Sequence, residues 1–225
     1  MISLIKRHYF CLSIYLSLIT ICTLLTQYFG KKATHLEINK YNCSFFDFIL
    51  KYVTHLGDGI FAIVIIVVML FNRFRYAVML LYAFLISGIT SQVLKKIFFK
   101  DVERPALYFK NISELRFVEG VELMYSNSFP SGHSATAFAL AFSLIFITKK
   151  ISHRYILFGI ALVVSFSRVY LSEHFLEDVM AGSLIGVIAA FISYLIVHKS
   201  QNKFLDNQLR ISLYNTEEKK LNESN

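Results

Sequence analysis

Six stretches of this 225-residue chain, 9–29, 56–71, 76–93, 134–148, 155–171 and 179–197, are almost free of charge, and the lysines, arginines and carboxylates gather between them. A bilayer core of roughly 30 Å needs about 20 helical residues, or about 17 where flanking side chains reach for the interface. Inside lipid each backbone N–H and C=O must be satisfied within the protein, so apolar runs of this length are expected to be helices. Apolar residues make up 56% of the chain and the mean hydropathy is +0.54, which leaves too little polar surface for a water-facing helical bundle. The expectation is an all-α, polytopic membrane protein: one domain of six transmembrane helices over residues 1–198, then a polar, disordered tail over 199–225.

The first run follows Lys6 and Arg7 but is longer than a secretion signal's apolar core and has no small-x-small cleavage site after it, so it reads as a retained span. The net charge of +8 is scattered, with no basic block interleaved with aromatics, and nucleic acid is not an expected partner. Cys11, Cys22 and Cys43 make neither a disulfide framework nor a zinc spacing and read as apolar fillers. Residues 30–51 read as a polar connector, and Leu56-Gly57-Asp58-Gly59 as a turn that starts the second span.

Polar residues at the ends of apolar helices are costly unless something binds them. Ser87, Ser91 and Lys95 recur every four residues on the third run, so one face of that helix should look into the bundle; Gly88, Gln92 and Lys96 form a competing row. After Arg104-Pro105 comes a long aromatic connector, 106–129, with Glu114, Glu119 and Glu122, which reads as a cover over a site. The fourth run then opens at Pro130-Ser131-Gly132-His133. Its first turn offers unpaired N–H groups and the positive end of a helix dipole, a ready anion site to which Ser131 adds a hydroxyl and Gly132 close backbone approach. The fifth run ends at Ser167-Arg168, and His174 and Asp178 stand one helical turn apart at the start of the sixth.

Connectivity ties these pieces together. If every run crosses the membrane, the end of the third, the start of the fourth, the end of the fifth and the start of the sixth lie on one face. Lys95, Arg104, Ser131, His133, Arg168, His174 and Asp178 can therefore converge. His133, His174 and Asp178 have the donor types of a catalytic zinc site, but three neighbouring cations would repel a metal. His8, His35, His55, His153 and His198 lack sequence partners and read as interface or solvent residues, and no G-x-S-x-G elbow supports a serine hydrolase.

Arg104-Pro105, Pro130-Ser131-Gly132-His133 and Ser167-Arg168-x5-His174-x3-Asp178 resemble the three-part signature of the type 2 phosphatidic acid phosphatase (PAP2) superfamily, over about residues 57–197. The family's first motif has Lys-x6-Arg-Pro, whereas Lys96 stands at x7 and Lys95 at x8, so either lysine is a candidate. The resemblance implies His174 as a nucleophile that forms a phosphohistidine, Asp178 orienting it, and His133 as general acid and then base. Lys95 (or Lys96), Arg104, Arg168, Ser131 and the Gly132 amide would hold the phosphoryl oxygens, with no cofactor and no metal. Phosphoryl transfer asks for charge neutralisation around in-line atoms, which cations and a helix N-terminus can supply.

The expected function is hydrolysis of a membrane lipid phosphate or pyrophosphate. A site at the membrane surface admits a lipid headgroup laterally, and the long 106–129 connector, able to house a large headgroup or close over a polyprenyl pyrophosphate, puts lipid A and undecaprenyl pyrophosphate ahead of phosphatidylglycerol phosphate and phosphatidate. A vanadate haloperoxidase and a non-catalytic transport or assembly protein are the alternatives. The expected setting is the bacterial inner membrane without an obligate protein partner. The short basic turns at 72–75 and 149–154 are expected on the cytoplasmic side and the site outside.

Overall fold

A computed structural model describes residues 2–110 and 115–209, with side chains from His8 onward. Among the described residues there are no strands, and the α-helices are α1 (Ile2–Asn39), α2 (Ser44–Val53), α3 (Gly59–Leu70), α4 (Phe74–Val93), α5 (Pro105–Tyr108), α6 (Gly132–Ile147), α7 (Ile151–Tyr170) and α8 (Leu176–Lys199). Every apolar run is thus helical. Three helical segments, His8–Asn39, Phe74–Phe98 and Leu176–Lys199, are long and apolar enough to cross a membrane. A fourth joins them if Ser44–Gly57 and Gly59–Leu70, bent by 58° at Asp58, count as one span. Helix α6 has only 16 residues, and α7 is polar at both ends.

One connector differs from the sequence expectation. Residues 30–51 are mostly helical: α1 continues to Asn39 past a kink at Gly30, and α2 begins at Ser44. At Gly30 the backbone takes φ 78° and ψ 154°, a region open only to glycine, and the kink redirects residues 31–39. The turn expected at 56–59 is present: Leu56 and Gly57 end a 3-10 turn, Thr54–Gly57, and α3 begins at Gly59.

Helix α6 sits at the centre, buried from Ser134 to Phe146 save Leu144, as befits a helix apolar all round. Its alternation of alanine and phenylalanine explains how. Phe138, Phe142 and Phe158 meet at ring-centroid distances of 6.1 to 6.3 Å with Tyr15 against them, each such pair contributing about 0.5–1.5 kcal/mol beyond area burial. On the other side, Gly182 and Gly186 of α8 let the α6 backbone approach. A Cβ on Gly182 would lie 2.2 Å from the Ser131 carbonyl oxygen, and one on Gly186 would lie 2.4 Å from that of Ala135. Small residues four apart are how helices pack closely in lipid, where burial of apolar surface gives little drive. Away from this core, Leu184, Ile188, Ile192 and Ile196 line the outer face of α8 in the exposed state expected of a lipid-facing stripe.

The ends of the bundle sort as connectivity requires. His8 of α1 meets Phe146, Phe10 meets Tyr155, and Asn72, Tyr76, Thr148 and His153 line one cavity, so the start of α1 and the α3–α4 and α6–α7 turns share an end. Residues 200–209, expected to begin a disordered tail, pack on that end: Arg75 donates to the Val197 and Ser200 carbonyls and pairs with Asp206, and Phe74 N–H donates to the Asn207 carbonyl. The rest of that tail, 210–225, lies outside the described residues. The opposite end carries the polar cluster.

Candidate active site

His174 lies in the turn between α7 and α8, which Arg168 pins by accepting the N–H groups of both Glu173 and His174 on its carbonyl. Ser172 enters that turn at φ 56°, an unusual value for a residue with a side chain, and its hydroxyl is held 3.2 Å from His35 Nε2. Asp178, a turn later on α8, places Oδ2 3.5 Å from His174 Nδ1. The same oxygen accepts the Ser128 hydroxyl at 2.5 Å and the Phe175 N–H at 2.9 Å, so the carboxylate is fixed independently of the imidazole. With Nδ1 on the carboxylate side, Nε2 is the nitrogen left for chemistry. Burial, and after it the charges of Arg104, Arg168 and Lys95, holds the His174 imidazole well below its ordinary pKa, which keeps it neutral near pH 7.

The cations converge on the same end. Arg104 and Arg168 are both buried, and Glu173 lies between them, 2.5 Å from Arg104 Nη1 and 3.4 Å from Arg168 Nη2. Burial pushes the Glu173 carboxyl above its ordinary value, against the pull of the two guanidiniums. Arg104 is held further by the Ser126 and Glu173 carbonyls, and Arg168 by the Thr54 hydroxyl at 2.7 Å. The α4 face of Ser87 and Ser91 is buried as expected, and Lys95 continues it half-buried, within range of the charges of Arg104, Asp178, Arg168 and Glu173. Lys96 is exposed. A π-helical turn, Leu94–Phe98, with a wider i→i+5 pitch, ends this helix before the chain reaches Arg104.

Ser131 caps α6, fully buried, with its N–H donating to the Asp178 carbonyl. This bond ties the start of α6 to the start of α8. Gly132 faces open space, since a Cβ built there meets no atom within 4 Å, so an anion can reach the backbone at this helix N-terminus.

His133 stands apart from the His174–Asp178 pair. Its Nε2 is 2.6 Å from Oδ1 of Asp58, whose Oδ2 is 2.8 Å from His55 Nδ1. Among the described residues no three His, Cys, Asp or Glu side chains are gathered as a metal ion would need. A cavity of about 240 Å³ opens here, bordered by Thr54, His133, Arg168, Glu173 and the 120–124 part of the long connector. That connector is a packed wall: Val118 joins Leu50, Tyr170 and Leu171, while Leu115 and Phe109 pack on Phe175. Glu114 lies outside the described residues.

All eight residues expected in the site, Lys95, Arg104, Ser131, Gly132, His133, Arg168, His174 and Asp178, therefore lie at one end of the bundle. Four partners were not foreseen: Ser128, Glu173, Asp58 and His55. Glu173 and Ser128 adjoin motif residues, which was their only local signal, and Asp58 looked like a turn former. His8 and His35, expected at an interface or in solvent, are buried; His35 stacks on Phe109. A neutral imidazole held by a carboxylate, a second histidine facing a cavity and three cations beside a helix N-terminus can bind a phosphoryl group and attack it.

Comparison with known proteins agrees. The sequence pattern of the PAP2 superfamily matches residues 76–202. Phosphatidylglycerophosphatase B of Bacillus subtilis (strain 168) is 33% identical over 154 residues, which cover 62% of this chain and 70% of that protein. Undecaprenyl-diphosphatase BcrC of the same organism is 24% identical over 151 residues, 67% of this chain and 75% of the relative. The crystal structure of Aquifex aeolicus LpxE superposes with a TM-score of 0.65 at 26% identity, covering 72% of this chain and 93% of LpxE.

Proposed function

The chain belongs to the PAP2 superfamily and is a multi-pass membrane lipid phosphatase; from that premise we propose that it cleaves the phosphomonoester or pyrophosphate of a membrane lipid through a phosphohistidine, without a metal. The observation that carries this reading is a neutral, carboxylate-held His174 facing three cations at one end of a lipid-exposed bundle. His174 Nε2 attacks phosphorus as the bond to the leaving oxygen breaks, and His133 gives that oxygen a proton. Water then attacks the phosphohistidine, His133 takes the water proton, and His174 leaves with the electron pair of the P–N bond. Arg104, Arg168, Lys95, Ser131 and the Gly132 N–H balance the charge on the phosphoryl oxygens.

A site at the helix ends suits a phosphate whose acyl or prenyl chain stays in the bilayer. Lipid A and undecaprenyl pyrophosphate are placed ahead of phosphatidylglycerol phosphate and phosphatidate, in keeping with a cavity walled by a long connector. The proposed topology has six spans in the bacterial inner membrane, termini and short basic turns in the cytoplasm, and the site on the outer side. The deciding experiment is phosphate release by the purified protein in detergent from these four lipids and glucose 6-phosphate, with and without EDTA. A lipid should be preferred and EDTA should change nothing. Preference for the soluble ester, or activity lost on chelation, refutes the respective part. Cysteines at positions 120 and 210 that label from the same side would refute the topology.

A further inference from the structure

Asp58 is the N-cap of α3, yet its side chain makes no capping hydrogen bond. An aspartate at this position ordinarily accepts an N–H of the first turn, a contact worth about 1 kcal/mol. Here both oxygens are turned to histidines instead, Oδ1 to His133 Nε2 at 2.6 Å and Oδ2 to His55 Nδ1 at 2.8 Å. The backbone is shaped for the first of these. Gly57 presses on His133 so closely that a Cβ there would lie 3.0 Å from His133 Cβ and 3.1 Å from its carbonyl oxygen. The same turn gives Thr54 to the Arg168 guanidinium. The 54–58 segment thus braces one phosphate-binding cation and the second histidine together.

We propose that Asp58 is the positioning residue of the general acid: it holds His133 by Nε2, presents Nδ1 to the leaving oxygen and offsets the imidazolium charge. The inference rests on the phosphatase reading above. When the P–O bond breaks, the proton passes from Nδ1 to the leaving oxygen while Asp58 stays ionised; when water attacks, Nδ1 takes the proton back. Asp58 therefore changes no bond and accepts no proton. Burial first, and then Arg168 with Arg104 behind it, oppose a positive charge on His133 and lower its pKa, whereas Asp58 favours that charge; Lys51, Glu122 and Glu173 also border the cavity. Asp58 is the carboxylate in contact. His55, at the cavity rim, shares it.

The test uses the full-length protein in detergent and two esters that differ in their need for an acid, decyl phosphate and 4-nitrophenyl phosphate. Asp58→Asn should slow leaving-group release in a single turnover, which reads enzyme phosphorylation alone, by about 100-fold with decyl phosphate but by less than about threefold with 4-nitrophenyl phosphate, because nitrophenolate leaves without a proton. The alkaline limb of the decyl phosphate profile should move down by about one pH unit, since loss of the carboxylate makes protonated His133 less stable. Asp58→Glu, which keeps the charge, should restore most of the limb, and Asp58→Ser, which also removes it, serves in place of Asp58→Asn if that variant does not fold. Equal losses on both esters with an unmoved limb, or no loss on either, would overturn the proposal. His133→Ala separates the two levels of the argument. If His133→Ala discriminates between the esters and Asp58→Asn does not, only the role of Asp58 falls. If His133→Ala treats both alike, the general-acid reading falls and Asp58 with it.

Discussion

His174 is 1% exposed and Asp178 fully buried, whereas the side chains of His133 and Asp58 are 30% and 35% exposed and border an open cavity. One pair comes from a single turn of chain, four residues apart; the other is assembled from segments 75 positions apart, α3 and α6. The difference follows the chemistry proposed for each half. Every substrate brings the same phosphoryl group to His174, so that side can be closed, dry and rigid. The leaving group is the variable remainder of the substrate, so the side of His133 must stay open to receive it.

The largest effect should come from the closed half. His174→Ala is expected to lose at least about 10⁴-fold in kcat on both lipid and nitrophenyl esters, because no acid can help where the nucleophile is missing. Rapid quench with ³²P-labelled substrate should also show no acid-labile, base-stable phosphoenzyme in this variant. Retained turnover would mean that the two halves have been assigned the wrong way round. Next comes His133→Ala, which should slow single-turnover release of the leaving group by about 10²–10³-fold with decyl phosphate and far less with the nitrophenyl ester; a loss in that step independent of the leaving group would erase the contrast. Asp178→Asn should cost roughly 10- to 100-fold, equally on both esters, since it weakens the orientation of His174 without touching the leaving side.

Glu173 sharpens the comparison differently, because it sits where the two halves meet, against both guanidiniums. Glu173→Gln removes a carboxylate that competes with phosphate for Arg104 and Arg168, so inhibition by inorganic phosphate or vanadate should tighten by about tenfold. Weaker inhibition would show that Glu173 serves to align the guanidiniums.

The smallest kinetic effect but the clearest structural one is a pair of glycines. Gly132→Ala adds a methyl to open space and should leave the melting temperature unchanged while raising KM, because the methyl takes ligand space. Gly182→Ala drives a methyl into the Ser131 carbonyl and should cost about 1–3 kcal/mol of stability, read as a drop in melting temperature in detergent. The reverse pattern would mean that the α6–α8 contact yields more readily than its packing suggests.

The sequence carried a good part of this. Long apolar runs force helices, and the four-residue spacing of His174 and Asp178 keeps the two within reach of each other. Even the inward face of Ser87, Ser91 and Lys95 was legible, because residues four apart share a side of a helix. How many of the runs cross was not, since α6 is short and α3 joins α2 at a 58° bend, and length alone does not decide such cases. Residues 200–209 looked disordered because their contacts to Arg75 and Phe74 come from more than a hundred positions away.

What the sequence by itself determined is therefore whatever recurs within one helix or follows from its length and spacing: helical class, the His174–Asp178 pair, the cations at the run ends. The tertiary structure decided between the two competing lysine rows, leaving Lys95 half-buried and Lys96 exposed. It also decided that Glu173 separates the two arginines and that Asp58 leaves its helix unbonded to hold His133. The physical reason is range: helix periodicity is a local property of the backbone, whereas a carboxylate chooses its partner only after packing has set which charges share the same poorly solvated space.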